Sequence, residues 1–271
     1  MEPDRRPTPT MESRPPFWAK ALATLTGNLF LVLGSALLGT ISLLVSWIPP
    51  RGSWVFGVSR LWARLLLTAS WVRVEARYDP ALDPGASYVF LANHQSMFDI
   101  PALFVTVPGQ IRMMAKKSLF QIPVFGWAMK AGGYIPIDRG DRSTARQSFT
   151  AAVAHLRKGT SIFLFPEGTR ATTDELLPFE RGGFLMAMKS GLPIVPVGIR
   201  GTRAIQHKGN WAIRPGKVTV SFGAPLDPAA YGIRRKNELI HEVRRQVAEM
   251  AGLRLPEGEG GPPEVESGGE A

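Results

Sequence analysis

Apolar residues run without a single charge from Ala21 to Ile48, 28 positions in all. As a helix such a run reaches about 40 Å, enough to cross a hydrocarbon core of roughly 30 Å. Phe17, Trp18 and Lys20 stand at one end and Trp47 at the other, where interfacial anchors belong. Pro49, Pro50 and Gly52 then stop the helix. Residues 53–72 form a second apolar segment, with Arg60 and Arg64 on one helical face and Trp54, Trp62 and Trp71 beside them. This mixture predicts a helix that lies among lipid headgroups or packs the first helix against the rest of the protein. A hairpin dipping into one leaflet and a true span followed by an interfacial helix both fit the pattern.

From about residue 72 the pattern changes. VRVEARY (72–78) alternates as a strand should, and SYVFLAN (87–93) is the near-continuous apolar run of a strand buried on both faces. Further strands are predicted at 111–116, 134–137, 161–166, 193–199 and 217–222, with helical periodicity over 143–157, 180–189 and 234–251. Strands alternating with helices imply an α/β fold, a mostly parallel central sheet flanked by helices, carrying an N-terminal membrane-associated helical segment. The expected division is a disordered tail at 1–16, the membrane segment at 17–72, one catalytic-sized domain at 73–252 and a disordered acidic tail at 253–271. The first tail lacks the short apolar core and cleavage site of a signal peptide.

Charge narrows the partners. Formal net charge is +10, yet residues 256–271 hold five glutamates and no base, so residues 1–255 carry +15. Such a body seeks anions: lipid headgroups, phosphorylated substrates or nucleic acid. The apolar N-terminal run and the lack of any nucleic-acid-binding signature set the last aside. No cysteine is present, which excludes disulfides, thiolate metal sites and a cysteine nucleophile.

Two strand ends carry reactive residues. Asn93-His94-Gln95-Ser96-Met97-Phe98-Asp99 follows SYVFLAN, and open α/β sheets bind ligands at strand ends of this kind. Histidine is the natural base near neutral pH, and a carboxylate five residues on could hold its other nitrogen. Phe165-Pro166-Glu167-Gly168-Thr169-Arg170 follows SIFLF and offers a glycine for close backbone approach, a carboxylate, and a guanidinium whose planar fork suits a phosphate. Ala115-Lys116-Lys117 and Ile135-Pro136-Ile137-Asp138-Arg139 add cations at strand or helix ends. Ile194-Val195-Pro196-Val197-Gly198-Ile199 reads as a supporting strand. Taken singly, each has an ordinary structural explanation: a solvated ion pair, a surface lysine, a plain core strand.

Together and in this order, NHQSMFD, AKKSLFQIPVFGWAMKAGGYIPIDR, FPEGTR and IVPVGI resemble the motifs of the 1-acylglycerol-3-phosphate acyltransferase family. The resemblance covers roughly residues 85–200 and, more loosely, 17–250. It implies an enzyme that moves an acyl chain from a thioester of coenzyme A or acyl-carrier protein onto lysophosphatidic acid, at a lipid bilayer, with no resident cofactor and no metal. His94 is implied as catalytic base and Asp99 as its orienting partner. Lys116, chosen over Lys117, is implied with Arg139 and Arg170 in binding the substrate phosphate. Asn93, Glu167, Gly168 and Thr169 are implied in shaping the pocket. The implied location is the cytoplasmic face of the plasma (inner) membrane.

The residue types suit that chemistry. A secondary hydroxyl is a poor nucleophile until a base takes its proton. With no cysteine and no G-x-S-x-G elbow, direct transfer is expected rather than a covalent acyl-enzyme. Related acyltransferases acting on glycerol 3-phosphate or another lysolipid, and an acyl-thioester hydrolase using the same pair on water, are the competing readings.

Overall fold

The computed structural model describes residues 15–49, 51–137 and 160–256. Arg139, the helix expected over 143–157 and most of the two expected tails lie outside them.

The first helix begins at Phe17 and runs to Val45: α1 (Phe17–Leu29), a π-helical turn at Phe30–Gly34, and α2 (Ser35–Val45). By length and composition it could cross a membrane: it has 29 residues, and its most apolar 18-residue stretch has a mean hydropathy of 2.1. Its course says more. α3 (Arg51–Ala69) turns back along it, and the rings of Trp18 and Trp71 meet edge to face at 6.1 Å. The chain therefore enters and leaves this hairpin at one place. Small residues let the hairpin lie close. A methyl added at Gly27 would strike the Ser70 hydroxyl at 2.6 Å and the Ile213 side chain at 2.7 Å, and one at Gly39 would press on Val124 at 3.0 Å. Those contacts fall in both halves of the helix, so it lies along the domain instead of projecting from it. Its outer side, with Leu25, Leu29, Leu33, Leu37 and Leu44, stays exposed and apolar.

Beyond the hairpin lie β1 (Val72–Tyr78), β2 (Val89–Ala92), α4 (Asp99–Thr106), β3 (Ile111–Lys116), a 3₁₀ turn at Lys117–Gln121, α5 (Phe125–Ala131), β4 (Ile135–Ile137), β5 (Ser161–Leu164), α6 (Gly182–Ser190), β6 (Ile194–Arg200), α7 (Thr202–Ile205), β7 (Gly216–Phe222), α8 (Pro228–Tyr231) and α9 (Lys236–Ala251). The strands form one seven-stranded sheet in the order β1-β7-β6-β2-β5-β3-β4. Every neighbouring pair is parallel except β6 with β7.

Side-chain alternation along β2 supplies two cores. Phe90 and Ala92 join Phe163, Val195 and Val197 on the side covered by α3 and α4, whereas Val89 and Leu91 join Ile162, Leu164 and Ile194 under α6 and α9. Covered on both faces, β2, β5 and β6 are apolar except for Ser161 and Arg200, and every residue but Arg200 is buried. Arg60 locks α3 onto α4 by donating to the Phe104 carbonyl at 3.0 Å and to the Val107 carbonyl. Of the two roles open to the second apolar segment, packing against the domain accounts for this arginine.

Candidate active site

β2 sits between β5 and β6, and the turns that leave the C-terminal ends of these three strands converge. The turn after β2 carries His94 and leads into α4, whose first residue is Asp99. His94 Nδ1 lies 2.7 Å from Asp99 Oδ2. The same oxygen accepts the backbone N–H groups of Gln95 at 2.7 Å and Ser96 at 2.9 Å. Three donors converging on one buried carboxylate oxygen place the imidazole proton on Nδ1 and leave the Nε2 lone pair available.

The turn after β5 fixes the rest of His94. Phe165 stacks on the imidazole, with centroids 3.9 Å apart and planes 14° from parallel. Glu167 Oε1 accepts the His94 backbone N–H at 2.6 Å, and the Ala171 N–H donates to the His94 carbonyl at 2.8 Å. Ring plane, backbone donor and backbone acceptor are thus all held by one short stretch of chain. Gly168 lets that stretch turn as it does, since its φ of +72° lies in the left-handed region that side chains disfavour.

Glu167 is 6% exposed, and its second oxygen accepts the Leu177 N–H at 3.0 Å. Burial pushes its carboxyl up to about 7, against the pull of the two backbone donors; nearby Asp99 adds to the rise and Arg244 opposes it. Both oxygens therefore serve the backbone, and Glu167 stands behind the site, clamping the two turns together. Asn93 does a similar job. Its side chain is fully buried and exchanges two hydrogen bonds with the Ile199 backbone, at 2.9 and 2.7 Å, binding β2 to β6. The sequence places both in the substrate pocket; the structure places neither among the residues lining the cavity described next.

That cavity, about 850 Å³, begins at His94 and extends between the hairpin and the domain. Leu38, Val55, Trp62, Phe104 and Met129 line its apolar length. Polar residues of the wall include Lys116 and, in the turn that holds His94, Gly168, Thr169 and Arg170. Lys116 and not Lys117 reaches it among the described residues. Val32, Met97 and Ile122 line the cavity while being 63%, 41% and 45% exposed, so it opens on the apolar outer face. Ser96 is buried and donates to the Gln206 carbonyl at 2.8 Å, which occupies its hydroxyl in holding the turn.

Sequence reasoning missed the segment after β6. Gln206 and Lys208 line the cavity, and Lys208 Nζ donates to the Thr169 hydroxyl at 3.2 Å and to the Arg170 carbonyl at 3.1 Å. The only available signal was topological: a third central strand had to end at the same edge.

The Acyltransferase family pattern matches residues 73–200. A chloroplastic 1-acyl-sn-glycerol-3-phosphate acyltransferase from Brassica napus is 36% identical over 166 residues, 61% of this chain and 46% of its own length. A 1-acyl-sn-glycerol-3-phosphate acyltransferase from Salmonella typhimurium is 34% identical over 185 residues, covering 66% of this chain and 74% of the bacterial one. The chain spans about half the length of the plant relatives it matches, 46% and 56% for two of them. The crystal structure of the 1-acyl-sn-glycerophosphate acyltransferase PlsC from Thermotoga maritima superposes with a TM-score of 0.72 at 26% identity, covering 85% of this chain and 95% of that one. The motifs, the fold that brings them together and these likenesses agree: the chain belongs to the family of 1-acyl-sn-glycerol-3-phosphate acyltransferases.

Proposed function

We propose that this protein transfers a fatty acyl group from an acyl thioester to the sn-2 hydroxyl of 1-acyl-sn-glycerol 3-phosphate, giving phosphatidic acid. One observation carries the reading: His94 lines a cavity whose other walls are an apolar slot and the cations Lys116, Arg170 and Lys208. An acyl chain and a phosphate are the two things such a cavity can hold. The relatives' names point to the same acceptor.

In this mechanism Nε2 of His94 takes the hydroxyl proton as the alcohol oxygen attacks the thioester carbonyl. The C–O bond forms, the tetrahedral intermediate collapses with cleavage of the C–S bond, and the imidazolium returns its proton to the leaving thiolate. Asp99 stabilises the imidazolium in between. Lys116 and Arg170 hold the phosphate, Arg139 joins them, and Gly168 and Thr169 line the glycerol side. Glu167 clamps the two turns together and Asn93 ties β2 to β6. The donor is acyl-coenzyme A or acyl-carrier protein, and no cofactor takes part.

The enzyme acts at the cytoplasmic face of the inner membrane. Its hairpin lies along the domain with the outer side immersed in one leaflet, so both acyl chains reach the slot without leaving lipid. The test is a purified-protein assay with labelled acyl thioester against a panel of lysolipids. Phosphatidic acid from lysophosphatidic acid is expected, and His94→Ala abolishes it while membrane binding persists. Free fatty acid released at an equal rate without acceptor would establish a hydrolase instead.

A further inference from the structure

We infer that Lys208 binds the substrate's phosphate, specifically that of the acyl acceptor. This rests on the reading just given. The position of the residue follows from the sheet. β6 neighbours β2, so the chain leaving β6 arrives beside the His94 turn. α7 ends at Ile205, and buried Gln206 accepts the Ser96 hydroxyl on its carbonyl at 2.8 Å. A tight turn follows, closed by Asn210 N–H to the His207 carbonyl at 3.1 Å, and it swings Lys208 over residues 169 and 170.

Both acceptors that Lys208 uses there are neutral, a hydroxyl and a carbonyl. An ammonium has three donors, so one is left over. Among the described residues neither Lys208 nor Arg170 has a carboxylate within ion-pair distance. Lys208 and Lys116 are exposed and Arg170 is half-buried, so water tolerates these cations apart. Gathered on one cavity wall with no carboxylate beside Lys208 or Arg170, they make a positive surface suited to an anion. A phosphate monoester, carrying close to two charges near neutral pH, is an anion of matching strength.

The same segment is tied to the lipid-facing helix. Thr24 on α1 exchanges two hydrogen bonds with the Ile213 backbone, at 3.1 and 3.0 Å, and Asn28 donates to the Trp211 carbonyl at 2.9 Å. Trp211 itself is 67% exposed beside that apolar helix, as an indole at the headgroup level would be. The Lys208 segment is thereby fixed to the apolar helix whose outer side meets lipid in the proposed function.

The experiment compares the full-length wild type with Lys208→Met and Lys208→Arg in detergent micelles. The acceptors are lysophosphatidic acid and 1-monoacylglycerol, which lacks the phosphate, and the donor is acyl-coenzyme A. Loss of one charge-assisted hydrogen bond raises KM for lysophosphatidic acid about tenfold or more in Lys208→Met, while Lys208→Arg recovers to within about threefold. The kcat, the donor KM and the rate with monoacylglycerol stay close to wild type. An unchanged acceptor KM overturns the inference. So does a rise in the donor KM, which would assign the contact to a phosphate of coenzyme A. An equal loss on both acceptors also overturns it, because Lys208 would then merely latch the 169–170 turn. A wild type that makes no phosphatidic acid removes the functional reading and the inference together, whereas an active wild type with an indifferent Lys208→Met removes the inference alone.

Discussion

Replacing Asp99 with asparagine isolates the charge of the dyad from its geometry. Oδ2 of Asp99 faces three donors, while Oδ1 is buried with no hydrogen-bond partner among the described residues. The amide will therefore set its oxygen at the Oδ2 position and its NH2 group at Oδ1, since the reverse would aim two N–H donors at three others. Both backbone bonds and the His94 contact survive, and the fold with them. What disappears is the attraction between carboxylate and imidazolium. For charge centres about 4 Å apart at an effective dielectric of 20, that attraction is about 4 kcal/mol. It acts only once the imidazole has taken the proton, so it falls on kcat, and about 4 kcal/mol corresponds to about a 10³-fold loss. Initial rates of phosphatidic acid formation at saturating substrates, with thermal midpoints in the same detergent, test this. A normally folded Asp99→Asn enzyme retaining more than about a tenth of wild-type kcat would show that the carboxylate's charge is not what stabilises the transition state.

Glu167 makes stability depend on pH. Its folded pKa of about 7 lies above the ordinary 4.5, so the folded protein keeps a proton that the unfolded chain has released, and stability falls as pH rises from 4.5 to 7 and then levels off. The full decline is on the order of 3 kcal/mol, and Glu167→Gln, which cannot titrate, should flatten it; parallel wild-type and variant melting curves at pH 5 and 7.5 would refute this. Gly198→Ala on β6 would set a methyl 2.3 Å from Met250 Cβ and 2.8 Å from the Ala251 nitrogen on α9. Overpacking of this kind costs about 1–3 kcal/mol, a drop in thermal midpoint of roughly 2–4 °C per kcal/mol, and an unchanged midpoint would mean that α9 does not press on the sheet there.

What the sequence makes legible here is what is local. β2 and β5 announce themselves as apolar runs because both faces are covered, and the residues that follow them are catalytic candidates because strand ends are where side chains leave the core. His94 and Asp99 are five residues apart, and one turn joins them. Partners distant in sequence are another matter. Ile199 lies 106 residues from the Asn93 that it binds, and β1 pairs with a strand from 216–222. Nothing in Glu167 itself shows that it faces away from the cavity that Gly168, Thr169 and Arg170 line. That follows from a turn whose geometry depends on His94 and Leu177. Lys208 could not be singled out from a turn of the type His-Lys-Gly-Asn, which ordinarily reads as solvated loop.

The apolar hairpin also roofs the slot: Leu31, Val32, Ser35 and Leu38 on one limb and Val55, Val58, Trp62 and Leu66 on the other line it. Apolar hairpin and cavity wall are a single object, so neither can be removed without the other. Trimming the first seventy residues would therefore unroof the groove and bare its apolar walls, so a shortened chain exchanges one covered cavity for an open apolar trough.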